Sequence, residues 1–289
     1  MHIPTKSLEN GLTIPMFGIG TWMMGGDFLH NPDNDDTADI AAIKTAIEMG
    51  VIHIDTAEKY AQGHAERLVA EALKGFDRSK LFIVSKVASE NLKHPDVIKS
   101  AKASLARLQI SYLDLYLIHA PNPDVPIAET MQAMDILRSE GLIRNIGVSN
   151  FTIERLEKAQ ACTKNKIVAN QLHLNLIFRE PERKGLLAYC QKNDIMFIAW
   201  RPVQKGALTD HGTPLLDEMC AKYHKTPAQI AINWLISQPN VVTLSKMGRI
   251  EHLKENLAAL GWQMEEEDIE RLRREFPDQK DVSDVVPLI

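Results

Sequence analysis

Short apolar runs alternate along this chain with longer segments in which apolar residues recur every three or four positions. The runs VIHID, LFIVSK and LDLYLIH occupy residues 51–55, 81–86 and 113–119, and each has the length of one buried strand. Similar runs stand at residues 17–21, 143–149, 167–172, 195–200 and 241–246. The pattern therefore predicts eight strands.

The segments between these runs have the periodicity of helices that cover a sheet. TADIAAIKTAIEMG and DVIKSAKASLARLQ place Ala, Ile, Val and Leu at three- and four-residue intervals. Thr226 and Pro227 supply an N-cap and a first-turn proline for a further helix. The strand ends recur at roughly 23 to 33 residues, which suits one strand and one helix per unit.

Eight such units favour one fold class, an α/β fold of the (β/α)8 TIM barrel type. The alternative, a doubly wound open sheet, would normally need a topological switch and long crossovers. Asn10 and Gly11, between two short apolar segments, predict a β-hairpin ahead of the barrel. No linker interrupts the rhythm, so residues 1–289 are predicted to form a single domain, with the longest irregular segment at residues 201–213.

Composition and charge narrow the class of protein. Hydrophobic residues make up 45% and charged residues 25%, as in globular proteins. A net charge of -5 without a basic stripe predicts no nucleic-acid partner. The N-terminus lacks the features of a secretory signal and no window is apolar enough to span a bilayer, so we expect a cytoplasmic location and no membrane partner. Cys162, Cys190 and Cys220 have spacings that predict neither disulfides nor a zinc site.

Ionisable side chains stand at the ends of three successive predicted strands. Asp55 closes the second strand and Tyr60 follows in its loop, while Lys86 and His119 close the third and fourth. Reacting groups of a barrel lie at these strand ends, so we expect the four to converge. A buried Lys86 ammonium should lower the pKa of Tyr60, and Asp55 should keep that ammonium charged. The set can protonate an oxygen that His119 orients, while a cofactor supplies the hydride.

Other uses of these residues stay open on the sequence alone. Each one singly is commonly a structural ion-pair partner. Lys86 can form a Schiff base as in a lyase, although no second Lys stands at an adjacent strand end to depress its pKa. His53 and Asp55 point the same way along one strand and can be metal ligands, but a core histidine is favoured and no metal is predicted.

The ordered motifs resemble those of the aldo-keto reductase family over nearly the whole chain. DTAEKY is similar to the family's Asp and Tyr motif, IVSK to its Lys motif, LDLYLIHAPNP to its His motif, IRNIGVSNF to its nicotinamide-amide motif and VANQL to its Gln motif. The resemblance implies a (β/α)8 barrel with an N-terminal β-hairpin capping the barrel base. It also implies reduction of an aldehyde or ketone to an alcohol by hydride from NADPH, with Tyr60 as general acid, Asp55 and Lys86 tuning it, and His119 orienting the carbonyl.

The resemblance further implies a set of cofactor-binding residues. Ser149, Asn150 and Gln171 would hold the nicotinamide amide, and Trp200 would stack on its ring where the family usually has Tyr or Phe. The other implied contacts are with Gly20, Thr21, Trp22, Lys246, Arg249, His252, Glu255 and Asn256. Met247 and His252 replace a Ser or Thr and an Arg that usually bind the 2′-phosphate. Arg249 can compensate, so NADPH is favoured and NADH use stays open.

Three departures from the family concern the substrate pocket. Ala120 replaces the Trp that commonly follows the catalytic His, Ala61 replaces the Gly that commonly follows the Tyr, and the tail beyond residue 276 has no aromatic residue. With Trp22 as the principal aromatic wall, an open pocket for a small-molecule carbonyl is expected, in a monomer or weak oligomer. A cofactor-binding regulatory subunit with little turnover is the alternative on the same fold.

Overall fold

An antiparallel hairpin opens the chain in the computed structural model, which describes residues 3–246 and 248–288. Its strands are β1 (Thr5–Ser7) and β2 (Thr13–Pro15). Between them Gly11 has a φ of 84°, which a residue without a Cβ adopts without strain. The hairpin predicted at Asn10 and Gly11 is confirmed.

Eight parallel strands then close into a barrel in which neighbours in sequence are neighbours in space, with the last strand beside the first. They are β3 (Phe17–Gly20), β4 (His53–Asp55), β5 (Phe82–Val87), β6 (Leu115–Ile118), β7 (Ile146–Ser149), β8 (Ile167–His173), β9 (Met196–Trp200) and β10 (Val241–Ser245). The predicted (β/α)8 barrel is confirmed, and the alternative of a doubly wound open sheet is wrong.

The barrel strands are buried on both faces, which explains their nearly continuous apolar sequence. Within this packed interior His53 is fully buried, as expected for a core histidine. A Cβ added to Gly18 would lie 2.7 Å from the His53 ring, so the glycine makes room for the imidazole. The edge of that ring packs against Phe82, with ring centroids 5.4 Å apart.

Helices follow the strands and cover the barrel. They are α1 (Asp36–Glu48), α2 (His64–Leu73), α3 (His94–Leu108), α4 (Ile127–Ser139), α5 (Ile153–Ala161), α6 (Glu180–Arg183), α7 (Leu186–Lys192), α8 (Pro214–Tyr223), α9 (Pro227–Ile236), α10 (Ile250–Leu257) and α11 (Glu266–Glu275). Thr226 and Gln229 form a capping box at the start of α9, which satisfies N–H groups that have no partner inside the helix. None of the helices in the described ranges is long and apolar enough to cross a membrane.

The fold divides into two compact units. The first unit is Gly18–Asn170, and the second unit comprises the residues up to Phe17 together with those from Gln171 onward. Within the second unit Lys6 Nζ donates a hydrogen bond to the backbone oxygen of Gln238, which precedes β10. The hairpin therefore lies at the N-terminal end of that strand, the base end of a barrel. Organisation of the chain as a single domain stays a prediction.

Loop lengths differ from the sequence expectation in one place. The segment at residues 201–213 is irregular as expected, apart from a 3₁₀ turn at Gln204–Gly206. The longer irregular segment, however, is residues 21–35, between β3 and α1. The sequence pattern hid it because an apolar stretch, WMMGG, makes its first part resemble a continuation of the strand.

Candidate active site

A buried ion pair joins the ends of two neighbouring strands in the first unit. Lys86 Nζ lies 2.5 Å from Oδ1 of Asp55, and it also donates to the backbone oxygen of Thr56 at 2.9 Å. Asp55 stands opposite Val84, two residues before Lys86, so both charged side chains leave the sheet on the same face. Burial works to lower the pKa of Lys86, but the attraction of Asp55 and Tyr60 outweighs it and raises that pKa. Lys86 is therefore an ammonium at neutral pH.

Tyr60, from the loop after β4, completes this hydrogen-bonded set. Lys86 Nζ donates to its Oη at 3.2 Å and lies 4.9 Å from the ring centroid. Burial raises the pKa of Tyr60, Lys86 opposes that rise, and the charge of Asp55 adds to it. Lys86 therefore acts to lower the pKa of Tyr60, as predicted, but the desolvation of a phenolate outweighs the ammonium, and the pKa is raised overall.

An unusual turn directs Tyr60. Ala61, Gln62 and Gly63 follow with φ values of 47°, 54° and 83°, all in the left-handed region. For a residue with a Cβ this conformation costs about 1–2 kcal/mol. The Ala61 N–H donates to the backbone oxygen of Asp27 at 2.7 Å, which helps to hold the turn. A glycine, common at the Ala61 position in the family that the sequence resembles, would adopt it without strain.

His119 faces Tyr60 from the end of β6. The two rings meet edge to face, with centroids 5.5 Å apart. Although His119 is half-buried as a residue, its Nδ1 is fully buried and finds no hydrogen-bond partner among the described residues. Burial first, and then the positive charges of Lys86 and Lys59, hold the pKa of His119 well below its ordinary value. The imidazole is therefore neutral and can donate one N–H without carrying charge.

Aromatic side chains from residues 21–35 lie beside the phenol. The Trp22 ring is 5.0 Å from that of Tyr60, and the Phe28 ring is 4.7 Å from Trp22. Phe28 is 52% exposed, so much of its ring is accessible to a ligand. Ala120, next to His119, is half-buried. Trp22 and Ala120 stay predicted pocket residues; Phe28 was not predicted, because no motif or periodicity marks an aromatic in an irregular loop.

Other predicted contacts of the cofactor lie at strand ends in the same unit. Gly20 ends β3, and Thr21 donates to the backbone oxygen of Asp55 from both its N–H at 2.9 Å and its Oγ1 at 3.2 Å. Ser149 ends β7, and Asn150 follows with a left-handed φ of 61°. Asn150 Nδ2 donates to the backbone oxygen of His119 at 3.1 Å and to Ser149 Oγ at 3.0 Å. The structure thus joins these residues to the predicted catalytic set.

The second unit carries the remaining predicted contacts of the nicotinamide. Gln171 is buried in β8, and Trp200 is the last residue of β9. The Trp200 ring stacks on His173 with centroids 4.2 Å apart, and Phe178 stacks on the other face of His173 at 4.6 Å. His173, which the sequence did not single out, therefore supports one face of Trp200.

Basic residues stand at or near the start of α10 along the sequence of the second unit. Lys246, Arg249 and His252 are exposed there, and Arg249 directly precedes the helix. First-turn N–H groups and cations together suit an anionic ligand. Further along α10, Glu255 is half-buried and Asn256 is buried. Met247 lies outside the described residues, so the effect of its replacing a Ser or Thr stays a prediction.

The fold and this cluster of Tyr, Lys, Asp and His side chains define a barrel enzyme of the oxidoreductase class. A comparison with protein-family models matches residues 16–274 to the Aldo/keto reductase family. The chain belongs to that family, and the resemblance recognised in its motifs is confirmed.

Individual relatives agree with this assignment. A methylglyoxal reductase of Escherichia coli (strain K12) is 33% identical over 273 residues, which cover 93% of each chain. A thermostable aldo-keto reductase, solved with the inhibitor epalrestat, is 43% identical with a TM-score of 0.90, covering 93% of this chain and 98% of that one. An aldo-keto reductase from Klebsiella pneumoniae, solved with NADPH, is 32% identical with a TM-score of 0.85, covering 98% of both chains.

Proposed function

We propose that the enzyme reduces an aldehyde or ketone to an alcohol with NADPH and that Tyr60 is the general acid. The observation that carries this assignment is the contact of Tyr60 Oη with Lys86 Nζ, which itself is bonded to Asp55. A phenol at this position is protonated at neutral pH, because burial raises its pKa. It is therefore an acid that already holds the proton it has to deliver.

NADPH supplies a hydride when it is bound. The side chains of the protein orient the carbonyl oxygen of the substrate and protonate it. Neutral His119 donates an N–H to the carbonyl oxygen and orients it toward Tyr60. As negative charge grows on that oxygen, Tyr60 transfers its proton to it. The phenolate left behind is stabilised by the Lys86 ammonium at 3.2 Å, and Asp55 keeps that ammonium in place.

Each unit, taken by itself, carries donor groups that suit part of the proposed cofactor. The Ser149 hydroxyl and the Asn150 amide in the first unit suit a carboxamide, and so does the Gln171 amide in the second. The cationic N-terminus of α10 suits a phosphate, with Arg249 as a bidentate donor. The relative from Klebsiella pneumoniae that was solved with NADPH supports the same choice. NADH remains a second cofactor to test, because His252 replaces an Arg.

The substrate is proposed to be a small carbonyl compound. Trp22 and Phe28 offer an aromatic wall beside Tyr60, and Ala120, next to His119, has a small side chain. The relative from Escherichia coli acts, by its name, on methylglyoxal, a small ketoaldehyde. An open pocket stays a prediction from the sequence.

Two other functions remain as competitors. A Schiff-base lyase needs Lys86 as a neutral amine, and the raised pKa of its ammonium speaks against that role. A regulatory subunit that binds the cofactor with little turnover would use the same residues. The Tyr60 phenol bonded to Lys86, with the neutral His119 beside it, favours the reductase, because cofactor binding alone has no need of a proton donor.

The test is an assay of the purified protein with NADPH or NADH against methylglyoxal, 4-nitrobenzaldehyde and 9,10-phenanthrenequinone. We expect turnover with NADPH, seen as loss of its absorbance together with alcohol formation. Tight NADPH binding without turnover of any of the three would favour the regulatory subunit. Borohydride trapping of a substrate on Lys86 would favour the lyase.

We also propose a cytoplasmic location and a monomeric or weakly oligomeric state. Cys162, Cys190 and Cys220 are all free thiols, as is usual in a reducing compartment. Fractionation of cells and light scattering of the purified protein test these two points.

A further inference from the structure

A second cluster of ionisable side chains lies in the first unit and uses none of the four proposed catalytic residues. His30 belongs to the irregular segment at residues 21–35, Asp36 is the first residue of α1 and His64 is the first residue of α2. One nitrogen or oxygen atom from each of the three lies within 4.8 Å of the other two. Over residues 3–246 and 248–288, no other group of three His, Cys, Asp or Glu side chains comes together in this way.

The spacing of these atoms is close to that of ligands around one metal ion. His64 Nε2 lies 2.6 Å from Asp36 Oδ2, and the rings of His30 and His64 have centroids 4.0 Å apart. Nitrogen and oxygen ligands lie about 2.0–2.2 Å from a zinc ion, so in a tetrahedral site they are about 3.3–3.5 Å from one another. Shifts of about 1 Å would therefore bring all three around one ion.

The surroundings hold two of these side chains in place. Asn34 Nδ2 donates to Asp36 Oδ1 at 2.8 Å, which leaves Oδ2 on the side of His64. A Cβ on Gly25 would lie 2.7 Å from His64 Cδ2, so the glycine permits the imidazole to pack against the loop. Hydrogen bonds and packing outside the ligands commonly orient them for a metal.

We propose that His30, Asp36 and His64 form a binding site for one divalent transition-metal ion, with water completing the coordination. Two imidazoles and one carboxylate form a ligand set that Zn²⁺ and similar ions prefer, whereas Mg²⁺ and Ca²⁺ prefer oxygen. No metal site was predicted from the sequence, because these three residues are too widely spaced along the chain to form a motif.

The site would link two segments beside the candidate active site. Phe28 lies two residues before His30, and Gln62, in the left-handed turn after Tyr60, lies two residues before His64. A bound ion would therefore connect the segment at residues 21–35, which contains Phe28, to the left-handed turn after Tyr60. The inference does not depend on carbonyl reduction, since the site is defined by its own ligands.

Calorimetric titration of the metal-free, full-length protein with Zn²⁺ tests the proposal. At about pH 7.5 we expect one equivalent to bind and His30→Ala to weaken binding by at least about tenfold. His30 is exposed, so this variant should fold normally, and its unliganded Tm should equal that of the wild type. Zn²⁺ should raise the Tm of the wild type more than that of His30→Ala.

His211→Ala is the matched control. His211 pairs with Asp217 at 2.6 Å, as His64 does with Asp36, but this pair belongs to no three-residue group in the described part of the chain. The affinity of the His211→Ala variant for Zn²⁺ should equal that of the wild type. Absence of saturable binding up to about 1 mM Zn²⁺ would overturn the proposal, as would equal affinity in the wild type and His30→Ala.

Discussion

Two histidines stand at the ends of barrel strands, one in each unit, and their surroundings differ. His119 follows β6 in the first unit, and His173 ends β8 in the second. Burial lowers the pKa of both, to about 4 for His173. In His173, however, Nδ1 bonds to Ser283 Oγ and Nε2 to Gln204 Oε1, each at 2.9 Å. Among the described residues, Nδ1 of His119 has no such partner.

The polar groups around His173 hold the end of the chain. The carboxylate of Glu180 is buried and accepts hydrogen bonds from the backbone N–H groups of Ser283 at 2.8 Å and Leu288 at 3.0 Å. Asp284 also lies 3.5 Å from Arg201, in the loop after β9. In this network the hydrogen-bonding capacity of the imidazole is used within the protein. Burial and a lowered pKa therefore do not by themselves identify a catalytic histidine; His119 is distinguished from His173 by its place beside the Tyr60 ring.

If His119 serves catalysis and His173 does not, the largest loss of turnover should come from Tyr60→Phe, which removes the acid beside His119. Loss of the phenolic proton should lower kcat by about 10²- to 10⁴-fold, with the dissociation constant of NADPH nearly unchanged. Steady-state kinetics and fluorescence titration measure the two quantities. Tyr116→Phe is the control, because the Tyr116 hydroxyl is also buried but has no hydrogen-bond partner among the described residues, and its kcat should stay within about twofold. Unchanged turnover in Tyr60→Phe would rule out its role as the acid.

Lys86→Met should lower stability as well as turnover. It leaves the Asp55 carboxylate buried without its ammonium, which should reduce the free energy of unfolding by about 3–5 kcal/mol. The exposed pair of Lys59 and Glu90, at 3.4 Å, supplies the control: Lys59→Met should change that free energy by about 1 kcal/mol or less. Urea denaturation measures both. If the two variants lost similar amounts of unfolding free energy, burial of the Asp55 and Lys86 pair would not make its disruption more costly than that of an exposed pair.

The pH dependence of stability should identify His173 as a structural group. Its pKa of about 4 in the folded protein lies below 6.5, so the unfolded chain binds the proton more tightly. Stability should therefore fall as the pH drops from about 6.5 to about 4, with His173 contributing at most about 3 kcal/mol. In His173→Gln the slope over this window should be smaller, while kcat at neutral pH stays within about threefold. An identical slope would contradict this prediction.

The smallest effect is expected at the turn after Tyr60. Ala61→Gly relieves a left-handed conformation that costs about 1–2 kcal/mol, and greater freedom of the unfolded chain offsets part of the gain. A net stabilisation of about 0.5 kcal/mol should follow, measured by thermal unfolding. At Ala103, in the middle of α3, the same change should destabilise by about 0.5–1 kcal/mol. Destabilisation at both positions would mean that Ala61 is not strained.

Much of the candidate site was predictable because its residues are tied to local pattern. Asp55, Lys86 and His119 end or follow short apolar runs, so their convergence follows from a parallel barrel in which strand ends meet at one mouth. Phe28 was not predictable in this way, because it lies in an irregular segment where no periodicity applies. Its relation to Trp22 and Tyr60 depends on how the loop of residues 21–35 folds back.

The eight strand and helix units, the β-hairpin, the family and the four ionisable residues could be predicted from the amino-acid sequence, because periodicity and motif order are properties of neighbouring positions. The rise in the pKa of Tyr60 could not be predicted in this way, since burial and a charge 3.2 Å away compete there. The meeting of His30, Asp36 and His64 could not be predicted either. The same holds for His173, whose two nitrogens form hydrogen bonds with Ser283 and Gln204. These outcomes depend on distances between segments remote in sequence, which local pattern does not encode.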